Sequence, residues 1–423
     1  MANKRIALLN LGCRVNRVEL DLMADELIRM GCSIVDQEDA SAIIINTCAV
    51  TAEAEAKTRK AVRHAASLPQ APLVVATGCV ANLFADELAS LAPNVVVEVQ
   101  KDRVAEVVMQ ELGCALEGVS DEGYLLRKAT PTGRTRPGIK IQDGCDNRCT
   151  FCIVWKARGP ARSLAPDEVI KQIRVAQSHG AQEVVLTGIN LGSYRVALGE
   201  KTVRLPELLD LILQTTTIGR VRISSLEPPD VDEELLAVMA SSNGRVAPFL
   251  HLCLQSGCDE TLRRMGRMYQ TELYRFAVEA VREKIPHVSL GTDLIVGFPG
   301  ETEEEFEISR AFCEEMNFSK MHVFRYSKRP GTPAAQALGQ VSPQVMAARA
   351  HTMRELAFQM RYQSARGLVG TTDSVVVQTP GKAVSGGLFD VSLDPGVPVD
   401  SLISVRFESV SKDATLKASL VSV

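Results

Sequence analysis

Cys145-Asp-Asn-Arg-Cys149-Thr-Phe-Cys152 places three thiols at C-x3-C-x2-C spacing directly after GIKIQDG, a run that reads as a β-strand. Three thiolates on one short loop can ligate three irons of a [4Fe–4S] cluster and leave the fourth iron open. An open iron can hold the amino and carboxylate groups of S-adenosyl-L-methionine, so that one electron cleaves the sulfonium and yields a 5′-deoxyadenosyl radical. The competing chemistry, a structural zinc site, closes tetrahedrally, and no fourth ligand lies nearby in the sequence.

A second set is dispersed. Cys13, Cys48 and Cys79 each follow the carboxyl end of an expected strand (RIALLNLG, SAIIINT, PLVVATG). In doubly wound sheets ligands sit outside the carboxyl ends of the strands, so the three thiols converge on one rim, either as ligands or as buried thiols. Cys32, Cys114, Cys253, Cys258 and Cys313 share no local setting and read as small buried hydrophobes. A cytosolic chain keeps its thiols reduced, so no disulfide framework is expected.

The elements that must position these residues fall into an α/β arrangement with a small β appendix. Strand runs alternating with helical segments at Glu19 to Met30 and Thr51 to His64 predict an N-terminal doubly wound parallel-sheet domain over 1–118. Residues 119–136 read as a basic linker, since Pro, Gly and Thr break the periodicity there. From Tyr124 to Arg162 nine Lys/Arg stand against two Asp, which fits an anionic partner as well as a solvated linker. Six further strand runs, GIKIQDG, EVVLTGIN, RVRISSLE, FLHLCLQS, SLGTDLIVGF and KMHVFRYS, predict a partial (β/α)6 barrel over 137–341. Barrel chemistry is built at the carboxyl ends of the strands, which makes Thr187, Gly188, Asn190, Glu227, Gln255 and Asp293 the candidate cofactor pocket. Ser256 and Pro299 to Thr302 occupy similar positions, where turn chemistry is the alternative. A connecting helix is expected over 342–367, with Ser342 as N-cap and Pro343 at N1. Short alternating runs between Gly/Pro turns then predict a small β-barrel over 368–423.

The 423 residues carry 47 Lys+Arg and 51 Asp+Glu, a net charge of −4 that excludes a generally basic nucleic-acid coat. A hydrophobic fraction of 46% excludes a disordered chain. No apolar run reaches the ~18 residues of a membrane span, and Ile6 to Leu9 is too short for a signal peptide, so a cytoplasmic location with no membrane partner is expected.

The C-x3-C-x2-C loop after a first barrel strand resembles the radical S-adenosylmethionine superfamily. With NLGCRVNRVELD, INTCAVTAEAEAKTRK and ATGCVA upstream, and HLCLQSGCDETLRRMGRMY, TDLIVGFPGETEEEF and FRYSKRPGTPAA downstream, nearly the whole chain resembles the methylthiotransferases, which add a methylthio group to an unactivated C–H. The resemblance implies two [4Fe–4S] clusters: Cys145, Cys149 and Cys152 hold the one that cleaves S-adenosyl-L-methionine, and Cys13, Cys48 and Cys79 hold an auxiliary one carrying the sulfur to be transferred. It also implies that the terminal barrel corresponds to the family's TRAM domain. That barrel, however, has four Lys/Arg against six Asp/Glu from Thr371 onward, a poor charge for RNA. Two further positions depart from the family pattern. Trp155, the only tryptophan, stands where the family has proline, and can shield a cluster, stack on a base or fill the core; Arg325 likewise replaces a common proline.

The family acts on adenosine-37 of tRNA bearing an isopentenyl or a threonylcarbamoyl group on N6, or on an aspartate of a ribosomal protein. Leu11 to Asn16, Asn46 to Thr51 and Tyr326 to Thr332 look most like the threonylcarbamoyladenosine branch. The implied partners are the tRNA anticodon stem-loop, an external electron donor such as a flavodoxin or ferredoxin, and a sulfur donor. Arg134, Arg136, the Arg263, Arg264 and Arg267 cluster, and Arg325, Lys328 and Arg329 are the expected phosphate contacts, and Lys412 and Lys417 of the terminal barrel are not. The alternative of another class, a non-catalytic iron–sulfur electron carrier or redox sensor, has no use for six barrel strands with polar residues at their ends.

Overall fold

Every residue of the strand Ala42–Thr47 is buried, the signature of a parallel sheet covered on both faces. In the computed structural model, which describes residues 4–114 and 135–421, β1 (Arg5–Asn10), β2 (Ser33–Ile34), β3 (Ala42–Thr47), β4 (Leu73–Gly78) and β5 (Val95–Val97) form that sheet in the order β2-β1-β3-β4-β5. Side chains alternate across it. Ile6, Ile44 and Val75 meet α1 (Arg14–Arg29) and α5 (Val104–Glu111) on one face. On the other, Ile43, Ile45 and Ala76 meet α2 (Ala52–Ala66), α3 (Cys79–Leu83) and α4 (Ala85–Ala89). Helix α1 begins at Arg14, five residues before the expected start at Glu19, because Val15 and Val18 continue its buried stripe and Cys13 takes the N-cap position. Residues 115–134, with most of the expected linker and Arg134, lie outside the described residues.

The second unit is an open barrel of parallel strands. In spatial order these are β6 (Gly138–Lys140), β9 (Glu183–Thr187), β12 (Arg220–Ile223) continuing as β13 (Ser225–Leu226), β14 (Phe249–Leu252), β15 (Ser289–Val296) and β16 (Lys320–Arg325). The run RVRISSLE forms two strands broken at Ser224, each pairing with a different neighbour. Short pairs β7 (Gln142–Asp143) with β8 (Arg162–Ser163), and β10 (Arg195–Leu198) with β11 (Lys201–Arg204), decorate the loops. Outside stand α7 (Pro166–Ser178), α8 (Leu205–Thr215), α9 (Glu233–Ser241), α10 (Asp259–Met265), α11 (Thr271–Lys284) and α12 (Glu303–Met316). Val184, Val221, Leu250 and Leu290 pack outward against Val169, Leu208, Val278 and Phe312 of this helical layer, so the core lies outside the sheet and its concave face is left for a site.

Helix α6 (Val154–Arg158) follows Cys152 at once, yet it buries Ile153 and Ala157 in the core of the first unit. The cysteine loop of the barrel is thereby clamped to the neighbouring domain.

Helices α13 (Pro333–Gln336) and α14 (Pro343–Gly367) lead to the closed barrel β17 (Thr372–Thr379), β18 (Lys382–Ser385), β19 (Asp390–Ser392), β20 (Leu402–Val410) and β21 (Leu416–Leu420). Ser342 caps α14 by accepting from the Val345 amide. The sequence pattern missed β18, whose four residues sit between two glycine turns. A buried ion trio docks this barrel: Glu183 pairs with Arg220 and Arg222, and Arg222 donates to Gly386 O (2.8 Å) and Ser385 O (3.0 Å). Burial opposes ionisation of Glu183, but the two guanidiniums hold its carboxyl down to about 2. Among the described residues no helix is long and apolar enough to cross a membrane.

Candidate functional site

Three loops of the first unit bring its cysteines together. Cys13 caps α1, Cys48 follows β3 by one residue, and Cys79 opens α3. Side chains bind the loops to one another. Asn16 Nδ2 donates to Asn46 Oδ1 (2.9 Å) and Thr47 O (2.7 Å), while Thr47 Oγ1 accepts from the amides of Val80 (3.0 Å) and Ala81 (3.2 Å). Gly78 has φ +93°, and a Cβ there would lie 2.3 Å from Asn46 Oδ1 and 2.6 Å from Thr47 O, so only glycine lets the Cys79 turn approach this closely.

The second loop is held as firmly. The Cys145 amide donates to Gly159 O (3.1 Å), the Thr150 amide to Met265 O (2.9 Å) and Thr150 Oγ1 to Arg264 O (2.8 Å). Gly144, at φ +72°, runs so close to Pro160 that a Cβ would sit 1.9 Å from its carbonyl oxygen.

The thiols suit a cation. Burial pushes the Cys48 thiol up to about 11 and the Cys152 thiol up to about 11, and like-charge repulsion from neighbouring cysteines adds to both. Cys79 and Cys145 are also raised, chiefly by burial. Sulfurs that stay protonated alone and repel one another as thiolates are a donor set that a metal completes. Each triad has the soft donors and the number that a [4Fe–4S] cluster with one open iron requires.

Both triads face one cavity of about 510 Å³ between the concave face of the open barrel and the first unit. Cys13, Cys79, Cys145, Cys149 and Cys152 line it; Cys48 is not among the lining residues, but feels the charges of Cys13 and Cys79. Thr187, Gly188, Asn190, Glu227, Gln255 and Asp293 all line the same cavity. Asn190 Oδ1 is buried and has no hydrogen-bond partner among the described residues. Glu227 Oε1 accepts from Arg267 Nη2 (2.7 Å) and Asn147 Nδ2 (2.9 Å). Gln255 adopts φ +68° between two backbone hydrogen bonds to β15, and Asp293 Oδ1 lies 3.3 Å from His251 Nε2. Trp155 is half-buried at the cavity wall with Arg148 4.5 Å from its ring centroid, so it does not fill the core.

Several structuring residues escaped the sequence. Buried Gln142 accepts from the amides of Ile189 (2.8 Å) and Asn190 (2.9 Å) and donates to Gly144 O (2.9 Å), joining the pocket loop to the cysteine loop. Arg158, its side chain 1% exposed, donates to Glu19 Oε1 (2.8 Å), Asp143 Oδ1 (2.8 Å) and Asn16 Oδ1 (2.8 Å), and so spans both triads' supports. Burial alone would raise Glu19, but Arg158, Lys101 and Lys140 hold its carboxyl down to about 2.

The expected phosphate contacts need correction. Arg136 pairs with Glu183 (3.4 Å), Arg263 with Glu260 (2.7 Å), Arg264 with Glu305, and buried Arg329 with Glu55. Arg267 turns inward to Glu227 and to Cys149 Sγ (3.2 Å). Buried or half-buried carboxylates take up Arg136, Arg264, Arg267 and Arg329, whereas Arg263, in a surface pair with Glu260, and Arg325 and Lys328 remain exposed, and Arg148 and Lys156 flank Trp155.

Residues 139–313 match the Radical SAM superfamily, and residues 5–99 match a family described as Uncharacterized protein family UPF0004. The chain is 33% identical to the threonylcarbamoyladenosine tRNA methylthiotransferase MtaB of Thermotoga maritima, covering 98% of this chain and 96% of that protein. It is 35% identical to the tRNA-2-methylthio-N(6)-dimethylallyladenosine synthase of Dictyoglomus thermophilum, covering 77% of this chain and 76% of the other. Among solved structures, the radical S-adenosylmethionine methyltransferase TsrM of Kitasatospora setae shares the fold at a TM-score of 0.56 and 16% identity, covering 78% of this chain and 75% of that one.

Proposed function

Since the chain belongs to the radical S-adenosylmethionine methylthiotransferases, we infer that it converts N6-threonylcarbamoyladenosine at position 37 of tRNA to its 2-methylthio derivative. The observation that carries this reading is one cavity lined by cysteines of both sets, in a chain that matches the Thermotoga protein over 98% of its length. In this reading Cys145, Cys149 and Cys152 hold one cluster and Cys13, Cys48 and Cys79 the other. When bound, the first cluster supplies the electron that cleaves S-adenosyl-L-methionine, and the second supplies the sulfur.

The chain's own residues do the rest. Thr187, Gly188, Asn190, Glu227, Gln255 and Asp293 provide the polar lining for the methionyl and adenosyl groups, with Gln142 fixing the backbone of Ile189 and Asn190. Arg158 fixes the distance between the two cysteine sets by holding Asn16 and Asp143 at once. Position 37 lies in the single-stranded anticodon loop, where presenting an unstacked base costs at most a few kcal/mol. Trp155, with cations on its ring, offers a stacking surface on the cavity wall, and Arg148, Lys156, Arg263, Arg325 and Lys328 are exposed cations that can meet phosphates. An external electron donor such as a flavodoxin or ferredoxin, and a sulfur donor that rebuilds the second cluster, complete the cycle.

Nucleoside mass spectrometry of tRNA from a deletion strain tests the reading. The 2-methylthio-N6-threonylcarbamoyladenosine peak disappears and its precursor accumulates. Persistence of that nucleoside, with loss of the isopentenyl counterpart or of a ribosomal-protein modification, overturns the substrate and spares the chemistry.

A further inference from the structure

The concave face of β16 presents Lys320, His322 and Phe324 to the cavity, while Met321 and Val323 between them pack outward against the helical layer. In register, Lys320 stands beside Gly291, and Gly291 beside His251; the Phe249 ring and the His251 imidazole lean over Gly291, 2.7 Å and 3.1 Å from where a Cβ would lie, so the cavity wall next to Lys320 is aromatic. The Lys320 ammonium is partly buried and makes no hydrogen bond or salt bridge among the described residues. The charges that act most on it are cationic, Arg361, Arg14 and Arg136, against the carboxylate of Asp390; Arg14 lines the same cavity, and Asp293 is its diagonal neighbour on β15. The Asp390 carboxylate is already taken by Arg361 (3.2 Å), and Arg136 by Glu183 (3.4 Å). Burial and these cations push the Lys320 ammonium down, and burial does the same to His322. An unpaired, half-buried cation on a cavity wall calls for an anion from the ligand.

The position of this charge restricts which anion it is. Lys320 opens β16, about 16 Å below the Arg325 end at ~3.3 Å per residue, whereas the cysteine loop follows the carboxyl end of its strand; of the pocket candidates Asp293 lies lowest, in register with His322 and two residues above the Lys320 row. Arg14 follows Cys13 directly. In adenine, C2 and C6 flank the same ring nitrogen, so a base that turns C2 toward Cys13 carries its N6 substituent along the same edge, toward Arg14 and Lys320. The threonylcarbamoyl substituent ends in a carboxylate a few bonds beyond N6, and an isopentenyl substituent ends in hydrocarbon. We propose that Lys320, flanked by Arg14, receives the carboxylate of the threonylcarbamoyl group and sets the enzyme's preference for that nucleoside. The assignment rests on the substrate reading above. It follows the general rule that a site built around a polar substrate group rejects analogues lacking it, because its own charge is then left unpaired.

The experiment uses the reconstituted holoenzyme and anticodon stem-loops whose position 37 carries either threonylcarbamoyladenosine or its neutral carboxamide analogue. Wild-type enzyme is expected to favour the acid by about 10- to 100-fold in kcat/KM, the worth of one charge-assisted hydrogen bond. Lys320→Met loses that preference, with the acid falling to the level of the amide and the amide changed by less than about threefold. Lys320→Arg retains it, and stem-loop binding measured by fluorescence anisotropy follows the same pattern. A Lys320→Met variant that weakens acid and amide alike places Lys320 against a phosphate, against the carboxylate of S-adenosyl-L-methionine or in the framework, and overturns the assignment. So does a variant that keeps the wild-type preference. If Lys320→Met does not incorporate iron, Lys320→Gln is measured in its place by the same ratio. Wild-type enzyme that leaves the acid stem-loop unmodified overturns the substrate reading itself and this assignment with it.

Discussion

Replacing Arg158 by Met separates the two halves of the site, and the cost can be worked out from its partners. Its guanidinium reaches Glu19 (2.8 Å) and Asp143 (2.8 Å) with a side chain 1% exposed. Removing one member of a buried ion pair costs about 3–5 kcal/mol, because the partner charge stays desolvated. Here Glu19 keeps Lys101 and Lys140, both at 2.9 Å, and Asp143 keeps Lys140 (3.1 Å) and Arg162 (3.0 Å). The loss therefore falls at the low end, about 3 kcal/mol, or roughly a hundredfold in the equilibrium for opening the junction. Anaerobic hydrogen–deuterium exchange on the reconstituted enzyme reads this directly. Amides of 154–159 exchange about a hundredfold faster in Arg158→Met, while those of β20 in the terminal barrel do not change. Adding Glu19→Gln to Arg158→Met recovers part of the loss, because the stranded carboxylate is gone. Unchanged exchange at 154–159, or additive effects of the two substitutions, would refute Arg158 as the pin between the domains.

Protein carrying Cys145→Ala, Cys149→Ala and Cys152→Ala retains about half of the roughly eight irons of two cubanes; full iron content in that variant rules out two sites. Gly78→Ala removes the other half, since its Cβ would collide with Asn46 and the Thr47 backbone, and its absorption spectrum keeps only the barrel cluster. Cys48→Ala still cleaves S-adenosyl-L-methionine to 5′-deoxyadenosine and makes no methylthiolated nucleoside, whereas Cys149→Ala does neither; product from Cys48→Ala removes the second cysteine set from the reaction. For pH, Glu19 has a folded pKa of about 2 against 4.5 when free, so its contribution is complete above about pH 4.5 and is lost as pH falls toward 2. That contribution is about 3 kcal/mol. Trp155 fluorescence of cluster-free protein titrated from pH 6 to 2 should show acid unfolding that is less steep in Glu19→Gln, and superimposable curves would contradict the assignment.

What the sequence reveals of this protein depends on range. The C-x3-C-x2-C loop is legible because its three cysteines fall within eight residues and the preceding strand is a plain β run. Cys13, Cys48 and Cys79 are legible because parallel-sheet topology brings strand ends together whatever the loop lengths. The six pocket candidates share the cavity for the same reason. Charge pairing is not a local property, so the sequence does not show which cations are free. Arg158 and Glu19 are 139 residues apart, and Arg329 and Glu55 are 274 apart, so the basic cluster expected to grip RNA is partly an internal framework. Lys320 carries a short-range signal: in KMHV polar and apolar residues alternate with period two, and the polar phase, Lys320 and His322, faces the cavity.

Trp155 shows how a departure from the family pattern is accommodated. It is the second residue of α6, within the first turn, where backbone amides have no partner inside the helix and proline is tolerated without loss. Replacing proline there leaves the helix intact, so Ile153 and Ala157 still enter the core of the first unit and Arg158 still reaches Glu19. What changes lies on the other side of the helix. Tryptophan restores a backbone N–H that acts on the Cys152 sulfur alongside that of Val154, and it turns an aromatic face beneath Arg148 into the cavity. N–H donors to cluster sulfurs are one of the levers that set an iron–sulfur potential, and a half-exposed aromatic face is one on which a base can stack. The substitution therefore acts on the ligand side of the helix alone, because the other side is already committed to holding two domains together.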